Sequence, residues 1–331
     1  MSKGAETHMI RTMTPADLPA VHALWNRAAE SREIVHKPLA RERFEALFVS
    51  AGNQELKYNL VAEQDGQIVG FGNAYHRLGA GFGYITFVLV DPAHRRKGVG
   101  SALLAALEER LRAFPTVTRI DINFFNPINL EWFIPGTPGH DHPNAPGVDA
   151  ATPALPFFLA RGYVETARQY SYYRLLKDFQ FQPKIAQRQA ALADKGITIT
   201  YYDPAVHHGL NELFDDLKNE DWREKVMANA NSPNPYPLLI VQKDGRVGGF
   251  AGPLYVQESG RGYFAGIGVH SEFRGVGAGS VLFSALCQGL RDIGATFMSL
   301  FTGRENVARK IYESAGFSVV HEWACMRKSV R

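Results

Sequence analysis

The 331 residues carry 36 Lys and Arg against 33 Asp and Glu, a formal net charge of +3, and 45% hydrophobic side chains. That length suits two α/β domains, each able to bury its own core, and the balanced charge, with no Lys/Arg-rich run, argues against a nucleic-acid or membrane-surface partner. Met1 to His8 is polar, no 18-residue apolar run follows, and Cys287 and Cys325 are too few for a disulfide framework, so a cytoplasmic protein with no metal site is expected.

In chain order, Thr14 reads as an N-cap with Pro15 at the first helical position, opening a helix through Leu18, Val21, Leu24 and Trp25. Asp65-Gly66 is a hairpin signal between runs near 57–64 and 67–76, and a strand follows near 83–90. After a basic, glycine-bearing turn, Val99, Leu103, Leu107 and Leu111 recur every fourth position and mark an amphipathic helix. A strand near 116–124, a helix near 153–161 and terminal strands near 163–175 complete this half. An alanine- and glutamine-rich stretch, 183–194, predicts a short linker helix. The order then returns: strand 197–202, helix from Pro204, hairpin about Asp244-Gly245, strand 262–269 and a long helix over 277–293.

The return is a repeat. Asp65-Gly66-Gln67-Ile68-Val69-Gly70-Phe71 recurs as Asp244-Gly245-Arg246-Val247-Gly248-Gly249-Phe250, an offset of 244 − 65 = 179. Gly83-Tyr84 and Gly262-Tyr263 keep that offset, as do Arg95, Gly98 and Gly100 with Arg274, Gly277 and Gly279; Leu300 falls opposite Asp121. Upstream the shift is 189, Thr14-Pro15-Ala16 matching Asp203-Pro204-Ala205. Downstream it is 154, Gly162-Tyr163 matching Gly316-Phe317, so the first copy holds an insertion of 179 − 154 = 25 residues. The predicted division is 1–177, a linker 178–195, and 196–331.

Arg95-Arg96-Lys97-Gly98-Val99-Gly100 and Arg274-Gly275-Val276-Gly277-Ala278-Gly279 both lie between a strand and a long helix. Glycines there let successive N–H groups converge on an anion, and the helix N-terminus adds partial positive charge. A dinucleotide site is the first rival, because Asp121 lies about twenty residues beyond Gly100. Against it, several residues separate strand from glycines, the second copy has Leu300 in place of Asp121, and the elements start strand–helix–hairpin. A Walker loop is excluded because no Gly-Lys-Ser/Thr follows.

Val88-x-Val90-x-Pro92 followed by Arg95-x-x-Gly98-x-Gly100 resembles the acyl-CoA signature of the GNAT superfamily of N-acetyltransferases. Ile267-x-Val269 followed by Arg274-x-x-Gly277-x-Gly279 resembles it too, with Ser271 at the usual proline. The resemblance implies two tandem GNAT-like domains of mixed α/β class, each with a mainly antiparallel sheet and flanking helices. It implies that Arg95–Gly100 and Arg274–Gly279 wrap the CoA pyrophosphate, and that Val88, Val90, Ile267 and Val269 offer backbone groups to pantetheine and the acyl carbonyl. Asn306-x-Ala308-x-x-x-Tyr312-x-x-x-Gly316-Phe317 is similar to the second GNAT signature, in which the Asn contacts pantetheine and the Tyr lies beside the thioester sulfur.

An amine attacking a thioester forms a tetrahedral oxyanion and expels a thiolate, so Tyr312 is the candidate acid for that thiolate. Counting back from Gly162, the first copy has Phe158 at the tyrosine position and Thr152 at the asparagine position. Phe cannot donate a proton. The expectation is therefore acetyl transfer from acetyl-CoA to a primary amine of a small molecule or peptide, with the second copy catalytic and the first degenerate. Catalysis in the first copy, or a non-catalytic acyl-CoA sensor, are the alternatives. No glutamate lies on either strand before the turns; Asp121, Glu220, Asp221 and His270 are the candidate bases, beside a base acting through water. The Pro- and Gly-rich stretch Pro135–Asp149 reads as a long loop, either a lid or specificity wall or a solvated excursion. His140-Asp141-His142 within it lacks a third ligand and the spacing of a zinc helix.

Overall fold

A computed structural model describes residues 8–123, 127, 128, 130, 132, 134, 135, 137 and 147–330. The first half runs β1 (Met9–Thr12), α1 (Leu18–Glu30), α2 (Arg41–Phe44), β2 (Glu55–Gln64), β3 (Gln67–Arg77), β4 (Phe82–Val90), α3 (Val99–Arg112), β5 (Arg119–Ile122), β6 (Val148–Asp149), α4 (Ala154–Leu159) and β7 (Val164–Leu175). The second runs α5 (Pro183–Ala193), β8 (Ile197–Tyr201), α6 (Leu210–Leu217), α7 (Glu220–Ala230), β9 (Leu239–Lys243), β10 (Arg246–Gly252), β11 (Tyr255–Val256), β12 (Gly262–Tyr263), β13 (Gly266–Val269), α8 (Ala278–Asp292), β14 (Phe297–Gly303), α9 (Arg309–Ser314) and β15 (Ser318–Ser329).

Local chemistry sets most of these boundaries. Thr14 caps the first helical turn through its amide and hydroxyl, which donate to Asp17 Oδ2 at 2.7 and 2.8 Å. Arg11 clamps the same carboxylate with bonds of 2.6 and 2.7 Å, and the guanidinium holds Asp17 far below the usual carboxylate range. Both hairpins turn through two left-handed residues, Asp65 (φ 50°) with Gly66 (φ 74°) and Asp244 (φ 52°) with Gly245 (φ 81°). That is the turn whose twist matches paired strands.

Compact packing divides the chain into residues 1–170 with 321–331, and residues 171–320. This differs from the contiguous division at 177 and 196. Strands β7 and β15 each start in one unit and finish in the other, so the last strand of the first unit comes from the C-terminus of the chain. Strand pairing is non-local, and a repeat offset carries no record of which copy supplies a partner strand.

In the first unit the strand order is β1-β2-β3-β4-β5-β15-β7. Strands β4 and β5 pair in parallel over Phe82–Tyr84. Helix α3 covers one face with Val99, Leu103, Leu107 and Leu111, all buried; Gly70 and Gly72 admit it, since a Cβ there would lie 2.9 and 2.8 Å from Leu103 and Leu107. The other face packs against Trp25, Phe44 and Phe48.

The insertion is an excursion from one strand line. On β15, Met326 pairs with Ile122 and Ala324 with Val148. Two steps along β15 thus carry the partner 148 − 122 = 26 residues, where a regular ladder advances two. Ile128, Leu130, Trp132 and Ile134 within the excursion are buried, and Trp132 meets Trp323 edge-on at 5.0 Å. Those four residues precede the stretch expected as a loop, Pro135–Asp149, whose last two residues form β6; His140-Asp141-His142 lies outside the described residues.

In the second unit β13-β10-β9-β8 form a four-stranded sheet, β11 and β12 pair separately, and β14 pairs with the end of β7. The expected strand 262–269 is broken into β12 and β13. The helix expected from Pro204 starts later, at Leu210. Residues 204–206 instead form a turn held by the Asp203 amide on His207 Nδ1, and left-handed Gly209 (φ 86°) restarts the chain as a helix. One alignment also changes. The parallel contacts Phe82↔Arg119 and Arg261↔Phe297 place Ser299, not Leu300, opposite Asp121.

Candidate active site

The two glycine turns are built alike. Each starts with an arginine whose Nε donates to the last carbonyl of the preceding strand: Arg95 to Val90 O at 3.0 Å and Arg274 to Val269 O at 2.8 Å. Arg95 also pairs with Glu33 at 2.6 Å, and Arg274 with Asp216 at 3.5 Å. The next residue is left-handed in both, Arg96 (φ 63°) and Gly275 (φ 79°), and the helix N-caps Gly98 (φ 89°) and Gly277 (φ 91°) are left-handed too. Such backbone turns the first N–H groups of Val99 and Gly100, or Ala278 and Gly279, outward, where no helical carbonyl accepts them. Arg96 and Lys97 stand exposed on the first turn; Gly275 and Val276 replace them on the second.

Beside each turn a strand edge is open. Asp91 N donates to Val69 O at 2.9 Å, and His270 N to Gly248 O at 3.0 Å. By antiparallel alternation, the main-chain groups of Val88 and Val90, and of Ile267 and Val269, then face away from β3 and β10. Toward that side, among the described residues, β4 pairs with β5 no further than Tyr84 and β13 has no second partner. Apart from the Val90 and Val269 carbonyls, which accept from Arg95 and Arg274, these main-chain groups have no strand partner among the described residues, and they lie next to a helix N-terminus, the features a phosphate-bearing extended chain requires.

The third component is the short helix after the gap. A Cβ on Gly279 would lie 3.5 Å from Ile311 Cδ1 and 3.8 Å from Val269 Cγ2. One on Gly100 would lie 3.5 Å from both Phe157 and Val90. Turn, strand and short helix meet at the same glycine in both copies. The next residue is where they part. Tyr312 packs on Phe283 at 4.9 Å, its hydroxyl has no hydrogen-bond partner among the described residues, and burial, with Tyr172 as a lesser cause, pushes its pKa up to about 12. Phe158 occupies that place in the first copy, buried against Phe157 and Tyr163.

Asn306 is engaged locally. Its Oδ1 accepts from Ala308 N at 3.0 Å and its Nδ2 donates to Thr302 Oγ1 at 2.9 Å, so the side chain closes the turn that leads into α9. Thr152 does the same in the first copy, its Oγ1 accepting from Ala154 N at 3.3 Å. The candidate bases are also committed elsewhere. Asp121 is buried between Arg119 and Arg327, at 3.0 and 2.7 Å. Glu220 and Asp221 are exposed partners of Arg223 and Lys225, and His270 Nδ1 accepts from Glu272 N.

Residues invisible to the sequence reading complete the second copy. Tyr172 of β7 is fully buried beside Tyr312, with ring centroids 5.9 Å apart; its hydroxyl donates to Glu313 at 2.8 Å and accepts from Arg309 at 3.1 Å. These bonds, Tyr172 first and Arg309 second, hold the Glu313 carboxyl below its ordinary range. No local signal points to Tyr172, because its neighbours are set by strand pairing.

The family model described as "Acetyltransferase (GNAT) family" matches residues 18–131 and 204–317, more than half of the chain. The chain belongs to the GNAT acetyltransferase family. Among solved structures, a GCN5-related glucosamine N-acetyltransferase region in a fungal multi-domain β-N-acetylglucosaminidase aligns at TM-score 0.65 and 20% identity, over 98% of this chain but 38% of that one. This chain thus spans well under half of that protein. A GCN5-related N-acetyltransferase from Sphaerobacter thermophilus aligns at TM-score 0.60 and 17% identity, covering 98% and 96% of the two chains. A tandem GNAT protein from the clavulanic acid biosynthesis pathway aligns at TM-score 0.56 and 16% identity, covering 98% of each. At these identities the likeness is one of fold, two GNAT domains in one chain. A comparison with curated proteins gives no match. The family places the protein among acyltransferases, and no helix among the described residues is long and apolar enough to cross a membrane.

Proposed function

We propose that the protein transfers an acetyl group from acetyl-CoA to a primary amine of a small molecule or peptide, and that the second copy performs the reaction. The observation that carries this is Tyr312, whose unengaged hydroxyl lies on the helix that meets both the glycine turn and the open strand edge at Gly279. A co-substrate with two linked phosphates fits the turn Arg274–Gly279, and an extended pantetheine arm fits the main-chain edge of Ile267 and Val269. The thioester supplies an activated acyl group and a thiolate leaving group. The incoming amine forms the new C–N bond as the C–S bond breaks; Tyr312 gives its proton to the departing sulfur and recovers one from solvent. Burial serves this role, because a phenol whose pKa is about 12 stays protonated throughout the neutral range. With Asp121, Glu220, Asp221 and His270 held in other bonds, removal of the ammonium proton is assigned to solvent.

Free-thiol release from acetyl-CoA, followed over a panel of amines, tests the reading. Tyr312→Phe should lower kcat by about a hundredfold or more while CoA affinity changes little. Unchanged turnover would move the chemistry to the first copy. CoA binding without turnover on any amine would make the protein an acyl-CoA sensor.

A further inference from the structure

The second glycine turn lacks the two basic residues of the first, having Gly275 and Val276 where Arg96 and Lys97 stand, yet a cation reaches it from outside the repeat. Helix α5 precedes the second copy and packs along α8 within the same unit. Its Ile185 and Leu192 are buried, and Arg188, three residues after one and four before the other, shares their stripe. A Cβ built on Gly277, the N-cap of α8, would lie 3.4 Å from Arg188 Cδ and 3.9 Å from its Nε. The arginine stem therefore lies against the start of α8.

That placement is electrostatically unfavourable in the protein alone. A helix N-terminus carries partial positive charge and favours anions. Arg188 has no carboxylate and no hydrogen-bond partner among the described residues, and Arg274 adds a second guanidinium to the same turn; the nearby Asp216 is taken up by Ser271 and Arg274. A half-buried cation on the inward stripe of a helix, without a partner among the described residues and with its stem against a helix end of like sign, is consistent with an anion that both would bind.

We infer that Arg188 is a phosphate-binding residue of the second copy, supplied by the inter-domain helix in place of the Arg96–Lys97 pair of the first. The inference rests on the reading that the second turn holds the phosphates of an acyl-CoA. It gives α5 a binding role beyond linking the copies.

Calorimetric titration of the full chain tests it, with Arg96→Ala marking the isotherm of the first turn. Arg188→Ala should weaken CoA binding at the second site about tenfold, Arg188→Lys should recover most of the loss, and S-acetylpantetheine, which lacks the phosphates, should bind both variants as it binds the parent protein. Dephospho-CoA separates the phosphates: a penalty that persists assigns Arg188 to the diphosphate, and one that vanishes assigns it to the ribose 3′-phosphate. A purely structural arginine would lower the melting temperature of the ligand-free protein, whereas a phosphate ligand leaves it unchanged or raises it. Equal CoA binding by Arg188→Ala and the parent protein would overturn the proposal, as would equal weakening of S-acetylpantetheine. No CoA binding at the second site of the parent protein would instead refute the underlying reading.

Discussion

The two copies show how one scaffold is kept while a single side chain within it changes. In each, a glycine of the long helix's first turn, a strand valine and a short helix meet at one point: Gly100 with Val90 and Phe157, Gly279 with Val269 and Ile311. One residue further on, the first copy has Phe158 packed in its core and the second has Tyr312, whose hydroxyl has no partner among the described residues. Packing constrains size and shape and tolerates either ring. Proton transfer tolerates only one. The difference also shows in the core: where the first copy has Val69 and the half-buried His94, the second has Gly248 under the buried Phe273. The larger ring over position 248 leaves no room for a side chain there, as close packing requires.

The sharpest test of the comparison is to break each turn in turn. Valine at position 277 cannot hold a φ near +91°, so Gly277→Val should reduce kcat/KM by about a hundredfold or more, while Gly98→Val should leave turnover within about threefold. The reverse outcome would make the first copy the enzyme. A smaller effect is expected in the second core. A Cβ on Gly248 would fall 2.5 Å from the Phe273 ring, so Gly248→Val should cost about 1–3 kcal/mol in denaturant titrations. Combined with Phe273→His, which restores the first copy's pairing, it should recover part of that loss; additive losses would show that the positions do not compensate.

The smallest effect belongs to the first unit alone and depends on pH. Asp17 is held far below its ordinary pKa by Arg11 first and by Thr14 after burial is counted against it. A carboxyl depressed on folding stabilises fully above its unfolded value of about 3.9, and that contribution fades as pH falls toward the folded value. Asp17→Asn should therefore destabilise by about 1–2 kcal/mol at pH 7. The gap to the parent protein should close progressively below about pH 4, measured as melting temperature. A gap independent of pH would assign the loss to the shape of the cap rather than its charge.

Much of the site was legible because its determinants are local. Left-handed glycines, a helix N-terminus and a strand that ends in valine are adjacent in the chain, so spacing alone identifies them. The position of Tyr312 is equally legible from the counting that links it to Gly316. The bases were not legible: Asp121, Glu220, Asp221 and His270 are the right residue types, but Arg119, Arg327, Arg223, Lys225 and the Glu272 amide engage them in the fold. Tyr172 and Arg188 escaped for the converse reason. Both lie outside the motifs and reach the second copy through packing partners far from them in sequence.

From the amino-acid order alone come the repeat, its offsets, the hairpin turns and the family to which they belong, because these depend on φ preferences and periodicities that act over a few residues. Tertiary structure decided which strand finishes which unit, that the long insertion leaves and rejoins a single strand line, and which charged groups pair with one another. Those outcomes depend on contacts between residues far apart in sequence, from the 326 − 122 = 204 positions between Ile122 and Met326 to the 277 − 188 = 89 between the Arg188 stem and Gly277. Sequence spacing cannot rank such contacts, since each depends on every other element packed around it.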